Sequence, residues 1–312
     1  MGVAGCAQDG GGFPREDELE HPVRADTETG PVGERAAIPL PDIGIGILTW
    51  RAPQTLRKTL ASHHEAGIAD LLGERLVYVQ AMEDDPDSVA IAREFGYPVQ
   101  GSARNLGILG GIDAVIRALH SPYVILNEND CQISASPAMA ASELHSARDM
   151  LATDRADIVL LRSRSHPGNP FSARKKAARF HPEDGASVAA RLRAAGRRVL
   201  RPEKARRMAG RAIRFDAEAH RRHPAQIIEM APGWLMTTSR WLPWTNNPCL
   251  LRRSLFLDLL DRAAAAETRR RVNGFKNFEI EVNGPWWRDQ ELRIVQGPGI
   301  FTHDRIGDRG YA

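Results

Sequence analysis

A chain of 312 residues, 42% hydrophobic and 26% charged, has the make-up of a soluble globular protein with room for one large α/β domain or two modest ones. The formal net charge of +3 gives no reason to expect a nucleic-acid partner, and no apolar run approaches the ~18 residues of a membrane helix. Cys6, Cys131 and Cys249 stand far apart without CxxC or CxxH spacing, which argues against a structural zinc site or disulfide framework and suits a reducing, cytoplasmic location.

Residues 1–40 hold Gly10-Gly11-Gly12, scattered Pro and acids and no apolar period, so a flexible tail is expected there. Residues 42–50 form an apolar first strand. Gly44 and Gly46 lie inside that run, not in a loop after it, so they are not a dinucleotide fingerprint. Pro53 opens a helix through about 65, on which His63 follows the period of Leu56, Thr59 and Leu60 and is expected to be packed or solvated rather than a ligand. Strands are expected at 75–80, 98–100, 123–126 and 157–161, with helices at 88–95, from about 108 to 119 and at 137–151 between them. Strands separated by single helices predict a parallel, doubly wound α/β sheet with helices on both faces.

The strand at 123–126 runs straight into Asn127-Glu128-Asn129-Asp130. In open α/β sheets, ligands bind at the carboxyl edge, and two acids of the same parity point the same way if the strand persists. Two hard oxygen ligands there suit Mg²⁺ or Mn²⁺ shared with a phosphate. Acids after strands also serve as caps and turn formers, so the context has to decide.

Alternation lapses over residues 163–230, where Arg and Lys are dense: Arg174, Lys175, Lys176, Arg191, Arg193, Arg197, Arg198, Arg206, Arg207 and Arg211 among them. A basic helical insertion is expected, facing solvent, an acceptor or a phospholipid surface; few aromatics make it a poor nucleic-acid binder. His220 and His223 read as more of that basic surface. Beyond it, Trp244-Thr245-Asn246-Asn247-Pro248 suggests a substrate-facing loop, its tryptophan stacking on a sugar or packing in the core. A helix follows to about 266. The chain then carries Glu279-Ile280-Glu281 and, a little over twenty residues later, Gly299-Ile300-Phe301-Thr302-His303.

These residues resemble the GT-A fold glycosyltransferases of the family-2 type, over about residues 43–306 and loosely between 163 and 230. Five features carry the resemblance in order: the polar turn Thr49-Trp50-Arg51 after the first strand; Asn105-Leu106-Gly107 opening a helix; Glu128-x-Asp130, where the family has Asp-x-Asp; the Asn246-Asn247-Pro248 segment with its following strand and helix; and an acidic pair preceding the final His303. The resemblance implies a GT-A, Rossmann-like, mostly parallel sheet: a nucleotide-sugar half at 41–162, the basic insertion at 163–230 and an acceptor and catalytic half at 231–312. It implies an inverting transfer from a nucleotide-diphosphate sugar, UDP-sugar favoured, to a hydroxyl of a glycan, lipid-linked or small-molecule acceptor. Asp130 and His303 would hold Mn²⁺ or Mg²⁺. Thr49, Arg51, Gln80, Asn105, Gly107, Glu128 and Asn129 would bind the nucleotide sugar, and Trp244, Asn246 and Asn247 the acceptor. Glu279 would be the base, with Glu281 the alternative. Gln80 and Met82 stand where the family has acids to hold the nucleobase. Competing readings are a non-catalytic nucleotide-sugar-binding protein of the same fold and a sugar nucleotidyltransferase. The latter wants a Gly-rich basic loop after the first strand, and Thr49-Trp50-Arg51-Ala52-Pro53 is not one.

Overall fold

The computed structural model describes residues 38–169, 171–268 and 270–304. The tail expected over 1–40 lies outside them save for 38–40, and Leu40 already belongs to the first strand. In chain order the first elements are β1 (Leu40–Thr49), α1 (Pro53–Glu65), α2 (Ile68–Leu71), β2 (Leu72–Gln80), α3 (Pro86–Glu94), β3 (Val99–Ser102) and α4 (Gly107–Ala118). Then come β4 (Tyr123–Glu128), β5 (Cys131–Ile133), α5 (Pro137–Ala152), β6 (Ile158–Arg162) and β7 (Gly168–Asn169). The basic segment is helical, with α6 (Ala173–Ala178), α7 (Val188–Leu200), α8 (Pro202–Gly210), a 3₁₀ turn (Arg211–Arg214) and α9 (Ala219–Arg222). The chain closes through β8 (Ile228–Ala231), β9 (Trp234–Thr238), β10 (Cys249–Arg252), α10 (Arg253–Ala265), α11 (Phe278–Val282), α12 (Pro285–Asp289) and β11 (Arg293–Asp304). None of the described helices is long and apolar enough to cross a membrane.

One mixed sheet runs β3-β2-β1-β4-β10-β6-β11-β9-β8, with β5 and β7 added to β11. β3, β2, β1 and β4 are parallel neighbours, as the alternation predicts. β6 does not follow β4 directly, because β10 sits between them, antiparallel to both, and the sheet is mostly rather than wholly parallel. Since β10 runs backwards, β4 and β6 still point the same way, and β6 pairs in parallel with β11. Along the path only β10 and β9 oppose the rest. The carboxyl ends of β1, β2, β4, β6 and β11 therefore share one edge, and the residues just before β10 arrive at that same edge.

The two faces of β1 divide the core. Ile43, Ile45 and Ile47, all at 0% exposure, pack with Leu56 and Leu60 of α1, each fully buried side chain worth roughly 1.5–3 kcal/mol. On the other face Leu48 meets Ile112, Val115 and Ile116 of α4. Gly46 faces that helix too, and a Cβ there would lie 2.2 Å from Val115 Cγ1. The strand glycines thus serve close helix approach. A second focus is an aromatic knot. Trp244 makes edge-to-face contacts with Phe256, Phe278 and Trp287, at 5.5, 5.3 and 5.9 Å between centroids. Such pairs add about 0.5–1.5 kcal/mol each beyond burial. The knot ties α10, α11 and α12 to the loop ahead of β10.

Candidate active site

A cleft of ≈ 1100 Å³ opens at the carboxyl edge of the sheet. Thr49, Gln80, Glu128, Asp130, Arg162 and His303 reach it from five strand ends or the turns just past them. Asn105 and Gly107 come from the start of α4, Trp244 to Asn247 from the loop ahead of β10, and Glu279 from α11. Of the residues singled out in the sequence, Arg51 and Glu281 do not line it. Arg51 (φ +46°) turns its backbone N–H to Asp85 (2.8 Å) and its guanidinium to Asp84 (3.2 Å), closing the loop after β2 instead.

The acidic turn is held from beneath. β4 ends at Glu128, so strict strand parity stops there, yet Glu128, Asn129 and Asp130 all line the cleft. Asn129 N–H donates to Leu48 O, its side-chain amide donates to Thr49 Oγ1 at 2.8 Å, and its carbonyl accepts from Thr59 Oγ1 at 2.7 Å. His63, on the same buried face of α1, lies 3.2 Å through Nε2 from the Asn127 amide and 3.1 Å through Nδ1 from the Tyr97 hydroxyl. Burial pushes its pKa down to about 3, so it is a neutral prop under the turn. Of the two readings that its helical period allows, packed or solvated, the fold contains the packed one.

β5 and β11 bring the metal candidates together. Their antiparallel register sets His303 opposite Cys131, and Asp304 N–H donates to Asp130 O at 2.9 Å. His303 Nε2 comes to rest 3.3 Å from Asp130 Oδ1. Its Nδ1 donates to Asn169 O at 2.6 Å, which fixes the tautomer and turns Nε2 toward the carboxylate. Burial opposes charge on this ring, but Asp130 and the Asn169 carbonyl outweigh it and raise its pKa. Asp130, Cys131 and His303 offer donor atoms within 4.8 Å of one another. Cys131, however, does not line the cleft, and burial together with Asp130 and Glu128 holds it as a thiol. A buried carboxylate and an oriented imidazole nitrogen at a cleft wall fit a divalent cation that keeps other positions for a ligand.

Elsewhere along the cleft, the Asn277 side chain caps α11 at Ile280 N–H (3.3 Å), and Phe278 and Val282 bury its inner face. Glu279 is left facing the cleft, its Oε1 accepting from Asn246 N–H at 2.8 Å. Glu281, two residues on, does not line the cleft, and its Oε1 is buried with no hydrogen-bond partner among the described residues. Trp244 is only 4% exposed; its ring is committed to the knot, and its Nε1–H donates to Asn246 Oδ1 at 3.0 Å. Asn247 accepts from Arg162 Nη1 at 2.7 Å and donates to Thr245 Oγ1 at 2.6 Å. Asn105 and Gly107 form a turn of their own, Gly107 N–H donating to Asn105 Oδ1 at 2.8 Å. Gly107 sits at φ +72°, and a Cβ there would meet Phe275 Cγ at 2.4 Å, so a side-chain contact demands this glycine. Gln80 Oε1 accepts from Leu106 N–H at 2.8 Å.

In the sequence Lys176 and Arg211 stand out only as members of the basic run, and Arg162 and Arg214 not at all. Arg162, Lys176, Arg211 and Arg214 line it, three of them from the basic insertion. Elsewhere the insertion is partly self-neutralised, by Arg174–Glu183, Arg206–Glu203, Arg221–Glu218 and Arg222–Asp216 pairs. The two histidines expected as basic surface behave otherwise. His220 lies 3.4 Å from Glu229, and His223 stacks edge-on against His181 with its pKa pushed down to about 4 by burial and that neighbour.

No family model matches the chain, and no curated protein does. Among solved structures it is similar to the mannosyltransferase PcManGT of Pyrobaculum calidifontis, solved with GDP-Man and Mn²⁺ (13% identity, TM-score 0.47, 88% of this chain and 61% of that one). It is similar to S. aureus TarS (12% identity, TM-score 0.45, 84% of this chain and 36% of that one). A third is glucosyl-3-phosphoglycerate synthase of Mycobacterium tuberculosis, solved with Mn²⁺, UDP-Glc and phosphoglyceric acid (13% identity, TM-score 0.43, 85% of this chain and 72% of that one). The chain spans about three fifths of the first and about a third of the second. At such identities and scores the likenesses are faint, and function has to be argued from the cleft.

Proposed function

We propose that this protein is an inverting, metal-dependent glycosyltransferase that moves a sugar from a nucleotide-diphosphate donor, UDP-sugar in the first instance, to an acceptor hydroxyl. One observation carries the reading: Asp130, His303 and Glu279, from three remote parts of the chain, all line one cleft. Residues 41–162 would hold the nucleotide, 163–230 would add cations, and 231–312 would supply base and acceptor loop. Thr49, Gln80, Asn105 and Glu128 face the donor. Asp130 and His303 would hold Mn²⁺ or Mg²⁺, which when bound supplies Lewis-acid neutralisation of the leaving diphosphate. Glu279 takes the proton of the acceptor hydroxyl as its oxygen bonds to the anomeric carbon and the bond from that carbon to the phosphate oxygen breaks. The Asn246 N–H fixes one carboxylate oxygen and leaves the other for the hydroxyl.

The test is to incubate the protein with Mn²⁺ and UDP-, GDP- and CMP-sugars with an acceptor panel, following nucleotide release and product anomer. The expected result is release from one donor class, lost on chelation, with inversion at the anomeric carbon. Binding without turnover for every pair would make the protein a non-catalytic module, and retention would remove Glu279 from its role.

The insertion also favours peripheral contact with an anionic membrane. Val188, Leu192 and Val199 are 73%, 68% and 80% exposed and recur at helical spacing on α7, while Ala194 (1%) faces inward. By helical spacing Arg191 and Arg198 stand on one side of the stripe and Arg193 on the other. Two copies docked stripe to stripe would bring like charges together, whereas an anionic lipid surface complements them. Co-sedimentation is expected with vesicles containing anionic lipid and not with neutral ones. Leu192→Glu should weaken binding by about tenfold or more, the worth of one buried leucine. Equal binding to both vesicle types, or a dimer broken by the same substitution, would refute it.

A further inference from the structure

The geometry points to an anionic acceptor, its phosphate or carboxylate seated by Arg211, Arg214 and Lys176 on the wall that carries Glu279; this specifies the acceptor class of the transferase reading and rests on it. Arg211 and Arg214 are three residues apart on a 3₁₀ turn, where i and i+3 eclipse, so both side chains leave on the same side, and both line the cleft. Arg214 is pinned: it donates through Nη1 to Thr245 Oγ1 at 2.6 Å and through Nη2 to Pro243 O at 3.0 Å. Its Nε, and the Nε of Arg211, are buried with no hydrogen-bond partner among the described residues. Such donors are costly to leave unmet.

The charges on this wall do not balance. Burial lowers the pKa of both arginines; Arg211 lowers that of Arg214 further, to about 9, and Glu279 is the carboxylate that both sense. Lys176 reaches the same cleft from α6. Arg211 and Arg214 thus share one acid, and Lys176 adds a third cation to the cleft from a helix packed on their turn. On the donor side the accounting differs, for Glu128 and Asp130 stand with Arg162 there, and both carboxylates act on that guanidinium through charge. A divalent cation and a diphosphate would complete that half without calling on Arg211. The cations left over sit beside the base, where an acceptor hydroxyl has to lie, so an anion attached to the acceptor would pair with these guanidinium charges and orient the hydroxyl toward Glu279.

The experiment has two arms. Donor hydrolysis by the wild-type protein without acceptor tests the transferase reading alone. Acceptors are then offered as matched sets, each a neutral sugar or polyol, its phosphate ester and its carboxylate. The expected preference in kcat/KM for an anionic member is tenfold or more, the phosphate and carboxylate arms telling which group fits. Arg211→Met should raise KM for that acceptor by a factor of ten or more, with a smaller fall in kcat, and bring the anionic-to-neutral ratio toward one. As a readout apart from turnover, inorganic phosphate should raise the melting temperature of protein already saturated with UDP and Mn²⁺ at constant ionic strength, and Arg211→Met should remove that rise. Neutral acceptors used as well as their anionic partners, or Arg211→Met weakening UDP binding as much as acceptor use, would overturn the inference while leaving the transferase intact.

Discussion

Glu279→Gln is expected to lower turnover by about 10²- to 10⁴-fold, the usual worth of a positioned general base, while donor binding stays close to that of the wild type. The substitution is isosteric, and its amide oxygen can still accept from Asn246 N–H, the 2.8 Å contact that aims the side chain. Its scaffold is independent of the carboxylate's charge: Asn283 Nδ2 donates to Glu279 O at 2.7 Å and to Trp244 O at 2.9 Å, and Phe278 lies in the aromatic knot. What disappears is the ability to receive a proton. Glu281→Gln is the internal control. That side chain does not line the cleft, and its Oε1 is buried with no hydrogen-bond partner among the described residues, so neutralising it should leave turnover near wild type and stability unchanged or higher. Initial rates of nucleotide release, with single-turnover measurements to isolate the chemical step, separate the two. Full activity in Glu279→Gln, or loss in Glu281→Gln instead, would reverse the assignment.

The sheet's first half was legible because each strand there is a short apolar run between a turn and a helix, and α1 begins and ends at Pro53 and Glu65 as its proline and period suggest. β10 was harder, since Cys-Leu-Leu-Arg reads the same whichever way it runs; only its insertion between β4 and β6 reveals the direction. β5 has three residues and takes its identity from the partner strand, β11, which continues across a register shift between Gln296 and Phe301. The site divides similarly. Glu128 and Asp130 announce themselves because strand ends at a sheet edge meet ligands. Arg211 and Arg214 do not, since in a run so rich in arginine nothing local marks the two on a 3₁₀ turn facing inward. Arg51 misled for the converse reason: a basic residue directly after a strand is well placed for a phosphate, but its left-handed backbone and two aspartates turn it outward.

Asp130→Asn should be the most damaging change on the donor side. Asp130 is 2% exposed and lies 3.3 Å from His303, so cleft and cation candidate share one buried carboxylate. An amide keeps the size but lacks the charge that a hard divalent ion requires. Loss of a direct ligand should cost more than the ~10–100-fold in metal affinity typical of losing an outer-sphere partner. Mn²⁺ binding followed by electron paramagnetic resonance, and Mn²⁺-dependent UDP binding by calorimetry, should both collapse. The fold should persist, because the contact tying this residue to β11 runs through its backbone, Asp304 N–H to Asp130 O at 2.9 Å. His303→Ala should follow the same course. Cys131→Ala discriminates between site chemistries. Burial and its acidic neighbours hold that thiol protonated, and it lies off the cleft, so its removal should spare Mn²⁺ affinity. A Cys131→Ala protein that loses its metal would mean a sulfur-ligated ion instead, and with it a different role for the Asp130–His303 pair.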